Sequence, residues 1–496
     1  MKRALIGLFL LACALLCVYV LDLRAAPKPA RKPVPASGRE SERLQPMAAV
    51  VDPSQPVHYL AVGGGATPEY TEISLEQDLE LAVQTLPGPG LVLFAGGSDS
   101  SSVRVRAAAE QRPSLLARLG EVFDPRAGRD SHYRRTRLAA QPATSANFET
   151  SLSLAASSGT EPLLLYIAAH GLQGDTPRDN HVELWGGEPI TVARLDELTS
   201  SATRPLRFVI ASCYSGGFAE LAFAHADPQR GPVASPRCGL FAGPWDRQTS
   251  GCDPNPDRRA QEGYSLHFLR ALRGEDREGK PLPLRTLDLD GDGEISLLEA
   301  HTRARIASHS IDVPTTTSER YLREVMLRKA APNWKLLPEE AAVVKQLGAR
   351  LKLTNPAAVD KRYRELAQRV DDVHDELDSA EDELDQARAR LAALLLARWP
   401  VLGDAYHDEF ASTLAQAGAD IEQVLKQSPV AEAYRRARDE ADAIAARANA
   451  LDPDEAEVLR LFRAYETAAL AASLAERGGA PFAHYQALLA CERGAP

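Results

Sequence analysis

Two unbroken apolar runs, Pro162 to Ala169 (PLLLYIAA) and Leu206 to Ala211 (LRFVIA), constrain this chain more than any other feature. A strand with one wet face alternates polar and apolar residues, so continuous runs of strand length require a sheet covered on both faces. His58 to Val62, followed by Gly63, Gly64 and Gly65, reads as a third strand leaving its sheet at a tight turn. Helical periodicity over Ser74 to Leu86 and an apolar strand at Leu91 to Ala95 then complete a strand, helix, strand alternation, so the expectation is a mostly parallel α/β sheet flanked by helices. His170 follows the first run and Cys213 follows the second shortly after its end. Functional groups gather beyond the carboxyl ends of parallel strands, and neighbouring strands would set these two residues side by side, with a crossover helix near Ala193 to Thr199 between them.

A thiol attacks a carbonyl as thiolate, and a nearby imidazole lowers its pKa or takes its proton, then protonates the leaving amine. Gly171 after the His, and Gly216 and Gly217 after the Cys, would let backbone approach a substrate and offer amides to an oxyanion. Taken singly, a Cys at a strand end reads as a small buried hydrophobe and a His before Gly as a turn residue. Their joint occurrence at the ends of two apolar runs favours the paired reading.

Tyr166-Ile-Ala-Ala-His170-Gly171 with Gly174 and Asp175, followed by Ala211-Ser-Cys213-Tyr-Ser215-Gly216, resembles the His-Gly and Ala-Cys-x-Ser-Gly blocks of the caspase and legumain superfamily of cysteine peptidases, with a legumain-like flavour. The resemblance spans His58 to Arg273, including a late helix at Gly263 to Leu272. It implies a caspase-like fold and cysteine endopeptidase activity, with Cys213 as nucleophile, His170 as general acid and base, and the amides of Gly171 and Cys213 as oxyanion hole. Two departures stand out. The Gln-Ala-Cys-x-Gly signature of caspases is absent, and Ala211 stands where metacaspases place an acidic residue. Leu240 to Gly243 is the candidate substrate-binding strand, with Asp246 or Asp253 as candidates to line the pocket. The Pro-, Arg- and Gly-rich stretch Ala224 to Glu262 is placed for self-cleavage. The reading from another class is a catalytically inactive caspase-like scaffold that binds calcium and acts through its coiled coil.

Asp288-Leu-Asp290-Gly-Asp292-Gly293-Glu294-Ile295-Ser296-Leu-Leu-Glu299 fits a twelve-position EF-hand-type calcium loop. Acids stand at positions one, three and five, Gly at six and Glu at twelve; Glu294 would supply its carbonyl, Ser296 would act directly or through water, and Glu299 would bind in bidentate fashion. The competing reading is an acidic turn before a helix. No incoming helix precedes the loop, which points to a lone loop docked on the α/β domain, with calcium structural or activating.

From Pro338 the chain reads as helical. Val359, Tyr363, Leu366, Val370, Val373, Leu377, Ala380, Leu384, Ala387, Leu391 and Leu394 recur at steps of four and three, the seam of a coiled coil that needs an internal or external partner. Pro400 and Gly403 interrupt it, and helices at Ile421 to Lys426, Val430 to Ala450 and Asp454 to Arg477 suggest an all-α helical bundle folded back on itself.

At the N-terminus, Lys2 and Arg3 precede an apolar run from Ala4 to Leu21, which reads as an uncleaved signal anchor; Leu10, Leu11 and Ala12 before Cys13 leave a lipoprotein open. Either places the body in the periplasm or exterior of a bacterium. Six cysteines make no metal pattern, and Cys238 could bridge to Cys252 across a loop, leaving Cys213 reduced. The net charge of -11 argues against a nucleic-acid partner and leaves a protein or peptide substrate, the membrane and a coiled-coil protein as expected partners. The expected parts are residues 1–24 (anchor), 25–56 (Pro-rich tether), 57–280 (peptidase domain), 281–335 (calcium loop and connecting helices) and 336–496 (helical domain).

Overall fold

The computed structural model describes residues 56–107, 114–123, 131–234 and 237–496. The anchor and all but the last residue of the tether lie outside the described residues, and no helix among the described ones is long and apolar enough to cross a membrane.

In chain order the first part runs β1 (Tyr59–Gly64), α1 (Ile73–Thr85), β2 (Gly90–Phe94), β3 (Val103–Arg106), α2 (Leu115–Phe123), β4 (Ser131–Arg134), α3 (Ser145–Ser157) and β5 (Leu163–Ala169). There follow β6 (Gly171–Leu172), β7 (His181–Glu183), β8 (Pro189–Thr191), α4 (Val192–Thr199), β9 (Leu206–Ala211), β10 (Arg237–Phe241) and α5 (Tyr264–Leu272). The second part comprises α6 (Leu297–Ala307), β11 (Thr315–Thr316), α7 (Thr317–Val325), α8 (Pro338–Leu351), α9 (Pro356–Arg398), α10 (Phe410–Gln427), α11 (Pro429–Arg477) and α12 (Gly479–Glu492).

Six strands form the main sheet in the order β11-β10-β9-β5-β1-β2. All its pairings are parallel except that of β11 with β10. Every residue of β5 is buried, as its unbroken apolar run requires. One face, with Leu164, Tyr166, Ala168 and Val209, packs on α1, α5, α6, α7 and α12; the other, with Leu165, Ile167, Phe208 and Ile210, packs on α3 and α4. The architecture is therefore a mostly parallel α/β sheet between helical layers, followed by a long helical region.

That helical region folds back on itself. Tyr363 stacks on Phe462, His374 bonds Asp452 at 3.0 Å and Arg447 pairs with Glu376, so residue numbers rise on α9 as they fall on α11 and the two helices run antiparallel. Val359, Leu366, Val373, Ala380 and Ala387 are buried at steps of seven, as the seam predicts, and the partner filling it is α11. Beyond Ala387 the buried positions are Leu391 and Leu395, whereas Leu394 is exposed, so the stripe shifts by one residue at the end. The sequence suggests two helices around Pro453; α11 instead continues through it. Pro453 removes one helical hydrogen bond, and the ordered packing of α9 on both sides of it offsets that loss.

The expected Cys238–Cys252 bridge is replaced by another pairing. Cys238 on β10 is bonded to Cys491 on α12, 253 residues away, and Cys252 is free. The parallel sheet buries Cys238 beneath α12, where a loop cysteine cannot reach it. Closing so long a loop restricts the unfolded chain strongly and stabilises by about 3–5 kcal/mol. Cys491→Ser should accordingly lower the melting temperature and leave Cys238 titratable by Ellman's reagent only after unfolding; an unchanged melting temperature would contradict the tie.

Candidate functional site

The pairing of β5 with β9 sets Ala168 opposite Ala211. The same offset carries His170 and Cys213, so both leave the sheet at one level of one rim, and strand alternation directs both toward the face formed by Tyr166, Ala168 and Val209. The loops behind them touch: a Cβ on Gly171 would lie 2.1 Å from the Cys213 carbonyl oxygen. Glycines of the rim thus serve loop packing. A Cβ on Gly216 would meet Gly243 and Pro244, and one on Gly217 would meet Pro177 and Asn180. The open approach to substrate expected at Gly216 and Gly217 is filled by neighbouring backbone.

Asn180 is fully buried among these loops. Its carbonyl oxygen accepts from the Gly174 amide at 3.0 Å, and its amide nitrogen donates to Tyr214 O at 2.9 Å and Trp245 O at 2.6 Å. One side chain therefore joins the segments after β5, β9 and β10. Tyr214 itself sits in the left-handed region (φ 59°, ψ 15°), turning the chain sharply after Cys213. The Cys213 sulfur accepts from the Thr249 amide at 3.3 Å.

Three further residues, Glu72, Tyr70 and Cys252, enter from segments that sequence patterning did not single out as functional. Glu72, the residue before α1, is buried, and its Oε2 lies 2.9 Å from His170 Nε2, while Arg104 approaches its Oε1 at 3.7 Å. The edge of the Tyr70 ring meets the His170 ring with centroids 5.8 Å apart. Cys252, on an exposed stretch after β10, turns its thiol toward His170. Burial opposes charge on His170, yet the contacts with Cys252 and Glu72 outweigh it and raise its pKa to about 11. The residue is exposed but its sulfur is turned inward, and that desolvation pushes the Cys252 thiol up while His170 pulls it back. Glu72 reads in sequence as an ordinary acid at a helix start, and only the β1 to α1 turn brings it over the rim.

Cys213 and Cys252 both line a small cavity of about 10 Å³ with Asp78, Thr249, Ser250 and Tyr264. Ser250 anchors that segment, its amide donating to buried Asp312 Oδ1 at 2.7 Å. The two candidate pocket residues lie apart from the cavity lining. Asp253 faces Arg106 at 3.6 Å, and its amide donates to Ser74 Oγ at 2.8 Å. Asp246 is exposed beside Arg247, whose guanidinium pairs with Glu455 of α11 at 2.6 Å.

At the acidic loop, the carboxylates of Asp288, Asp290 and Asp292 come within 4.8 Å of one another. Gly291 and Gly293 take positive φ (85° and 91°), and their amides donate to Asp288 at 2.6 and 3.1 Å. Glu299 is buried, with Oε1 accepting from Leu289 N at 2.5 Å and Oε2 from Ser296 N at 2.9 Å. Ser296 caps α6 and receives the Glu299 amide at 3.2 Å, so these two residues form a capping box. The side chain of Glu294 is exposed, and its amide donates to Asp292 at 2.9 Å. A short turn at Leu284–Thr286 stands where an incoming helix would be.

Neither the family models nor the curated proteins compared with this chain give a match.

Two measurements follow from the geometry. Asn180→Ala removes three hydrogen bonds to partly buried backbone groups and should destabilise by about 2–3 kcal/mol in denaturant unfolding; a change near zero would mean the loops hold without it. His170, raised from 6.5 to about 11, contributes stability that is complete below pH 6.5 and lost as pH rises toward 11. Glu72→Gln should move its NMR titration midpoint down toward 6.5, and the stability gap between variant and parent should be widest in acid; an unmoved midpoint would contradict the pairing.

Proposed function

We propose that this chain is an exported, membrane-anchored cysteine endopeptidase with a caspase-like α/β domain, in which Cys213 is the nucleophile and His170 the general acid and base. The observation that carries the reading is the shared rim: matched register on β5 and β9, with Gly171 pressed against Cys213. The mostly parallel sheet between helices is compatible with that fold.

In the proposed reaction His170, kept protonated by Cys252 and Glu72, stands as imidazolium at the rim it shares with Cys213, whose sulfur attacks the scissile carbonyl as thiolate. The negative charge forming on the carbonyl oxygen is met by the amides of Gly171 and Cys213. His170 then gives its proton to the leaving amine and, as the neutral ring so formed, takes one from the water that hydrolyses the thioester. Substrate specificity would come from the segment after β10, with Asp246 or Asp253 as candidates to line the pocket. A cavity of about 10 Å³ beside Cys213 admits no P1 side chain, so this reading requires Thr249 to Cys252 to shift on binding or after self-cleavage between Ala224 and Glu262. The same closed cavity is what favours the second reading, an inactive calcium-binding scaffold working through its helical arm.

The full chain in detergent, incubated with a peptide library and calcium, should give cleavage products that vanish in Cys213→Ala, together with self-cleavage fragments confined to the active chain. Identical intact bands and no peptide products from either protein would support the scaffold.

Calcium is proposed at Asp288, Asp290 and Asp292, with the Glu294 carbonyl, Ser296 and Glu299 completing an all-oxygen site. Glu299 sits at the loop's closing position, and the fold already draws it back over Leu289 and Asp290. At a hundredfold excess over Kd, calcium should add about 2.7 kcal/mol to unfolding stability, and Asp290→Ala should abolish that gain. Equal stability with calcium and with chelator would remove the site.

A further inference from the structure

We propose that Glu72, His170 and Cys252 form a zinc site that closes the rim. A carboxylate oxygen, an imidazole nitrogen and a thiol sulfur from these residues all lie within 4.8 Å of one another. They come from three separate loops, after β1, β5 and β10, which the fold brings together at the carboxyl ends of the strands. Three donors at that spacing can be drawn onto one ion with small side-chain adjustments, since zinc bonds to nitrogen and oxygen run at about 2.0–2.2 Å and to sulfur at about 2.3 Å.

The donor set selects the metal. Calcium and magnesium take oxygen ligands, whereas a mixed sulfur, nitrogen and oxygen set suits zinc. The acidic loop near Asp288 is all-oxygen, so the two sites sort two ions by chemistry. Three protein ligands leave a fourth zinc position for water, with Cys213 nearby in the small cavity that it shares with Cys252. Arg104 stands 3.7 Å from the other oxygen of Glu72, which holds the carboxylate in place and offsets part of its charge. The site lies at the protein surface, because Cys252 is exposed as a residue and the His170 side chain is 20% exposed, although the Cys252 sulfur itself is turned inward. Binding is a ligand exchange without redox change: zinc bonds the Cys252 thiolate, the neutral His170 ring and the Glu72 carboxylate, and the displaced thiol and imidazolium protons go to solvent.

Zinc on His170 removes the group that would serve as acid and base, so the ion would hold the centre inactive until released. That consequence rests on the peptidase reading; the metal site does not. In the scaffold reading the same ion would staple three loops.

Cobalt(II) is a spectroscopic stand-in for zinc. The reduced full chain in detergent, with excess calcium to saturate oxygen sites, should develop a sulfur-to-cobalt charge-transfer band and tetrahedral visible bands, both displaced by one equivalent of zinc. Cys252→Ser should abolish the charge-transfer band, Glu72→Gln should weaken zinc affinity more than about tenfold, the lower end of what even outer-shell changes cost, and Cys213→Ala should retain the band. No charge-transfer band in the parent chain, or one of full strength in Cys252→Ser, overturns the site. If peptide cleavage occurs, zinc should suppress it in the parent and spare Cys252→Ser. If no cleavage occurs under any condition while the cobalt band behaves as expected, the peptidase reading falls and the zinc site stands.

Discussion

Everything at the rim depends on one registration, Ala168 of β5 opposite Ala211 of β9. A slip by one residue in either strand would turn its side chains to the opposite face and separate His170 from Cys213 by the thickness of the sheet. The fold guards against such a slip from both sides. Apolar layers cover both faces of β5, so any shift would carry its side chains into the wrong layer, and beyond the strand ends Asn180 ties three loops with three hydrogen bonds. The close fit of Gly171 on Cys213 and of Gly216 on Gly243 follows from that compression.

The helical region reaches into the same arrangement. Cys491 is bonded to Cys238 on β10, Glu492 accepts from the Ser318 amide at 2.7 Å, and Leu297 at the start of α6 donates to Gly494 O at 3.1 Å. Arg247, two residues before Thr249, pairs with buried Glu455 of α11. The loop that carries Cys252 is thus held at one side by the helical arm and at another by Asp312. Arg247 thus ties the segment that lines the cavity beside Cys213 to α11.

The central strands, the crossover helix near Ala193 and the late helix at Tyr264 were legible because each buries a contiguous apolar surface that leaves a local pattern. The α9 seam was legible for the same reason, up to the shift from Leu394 to Leu395. What local patterns miss is long-range. Cys238 and Cys491 meet across 253 residues, and cysteine spacing carries no information about such a pair. Glu72 looks like any acid before a helix, and Cys252 looks like a loop cysteine, because their meeting with His170 is made by sheet order alone. Pro453 marks a helix end by local preference, and packing along α9 overrides it. Gly216 and Gly217 signal close approach correctly, while the approaching partner, neighbouring backbone, is visible only in three dimensions.

The central claim is that His170 acts on the sulfur of Cys213, and site-resolved alkylation measures it directly. With iodoacetamide and peptide mass spectrometry, the labelling rate of Cys213 is followed separately from that of Cys252 in the parent chain and in His170→Ala. Fast labelling of Cys213 is expected in the parent, with a fall of about tenfold or more without the imidazole, the scale on which a neighbouring imidazolium favours a thiolate. Equal, slow labelling of Cys213 in both proteins would contradict it.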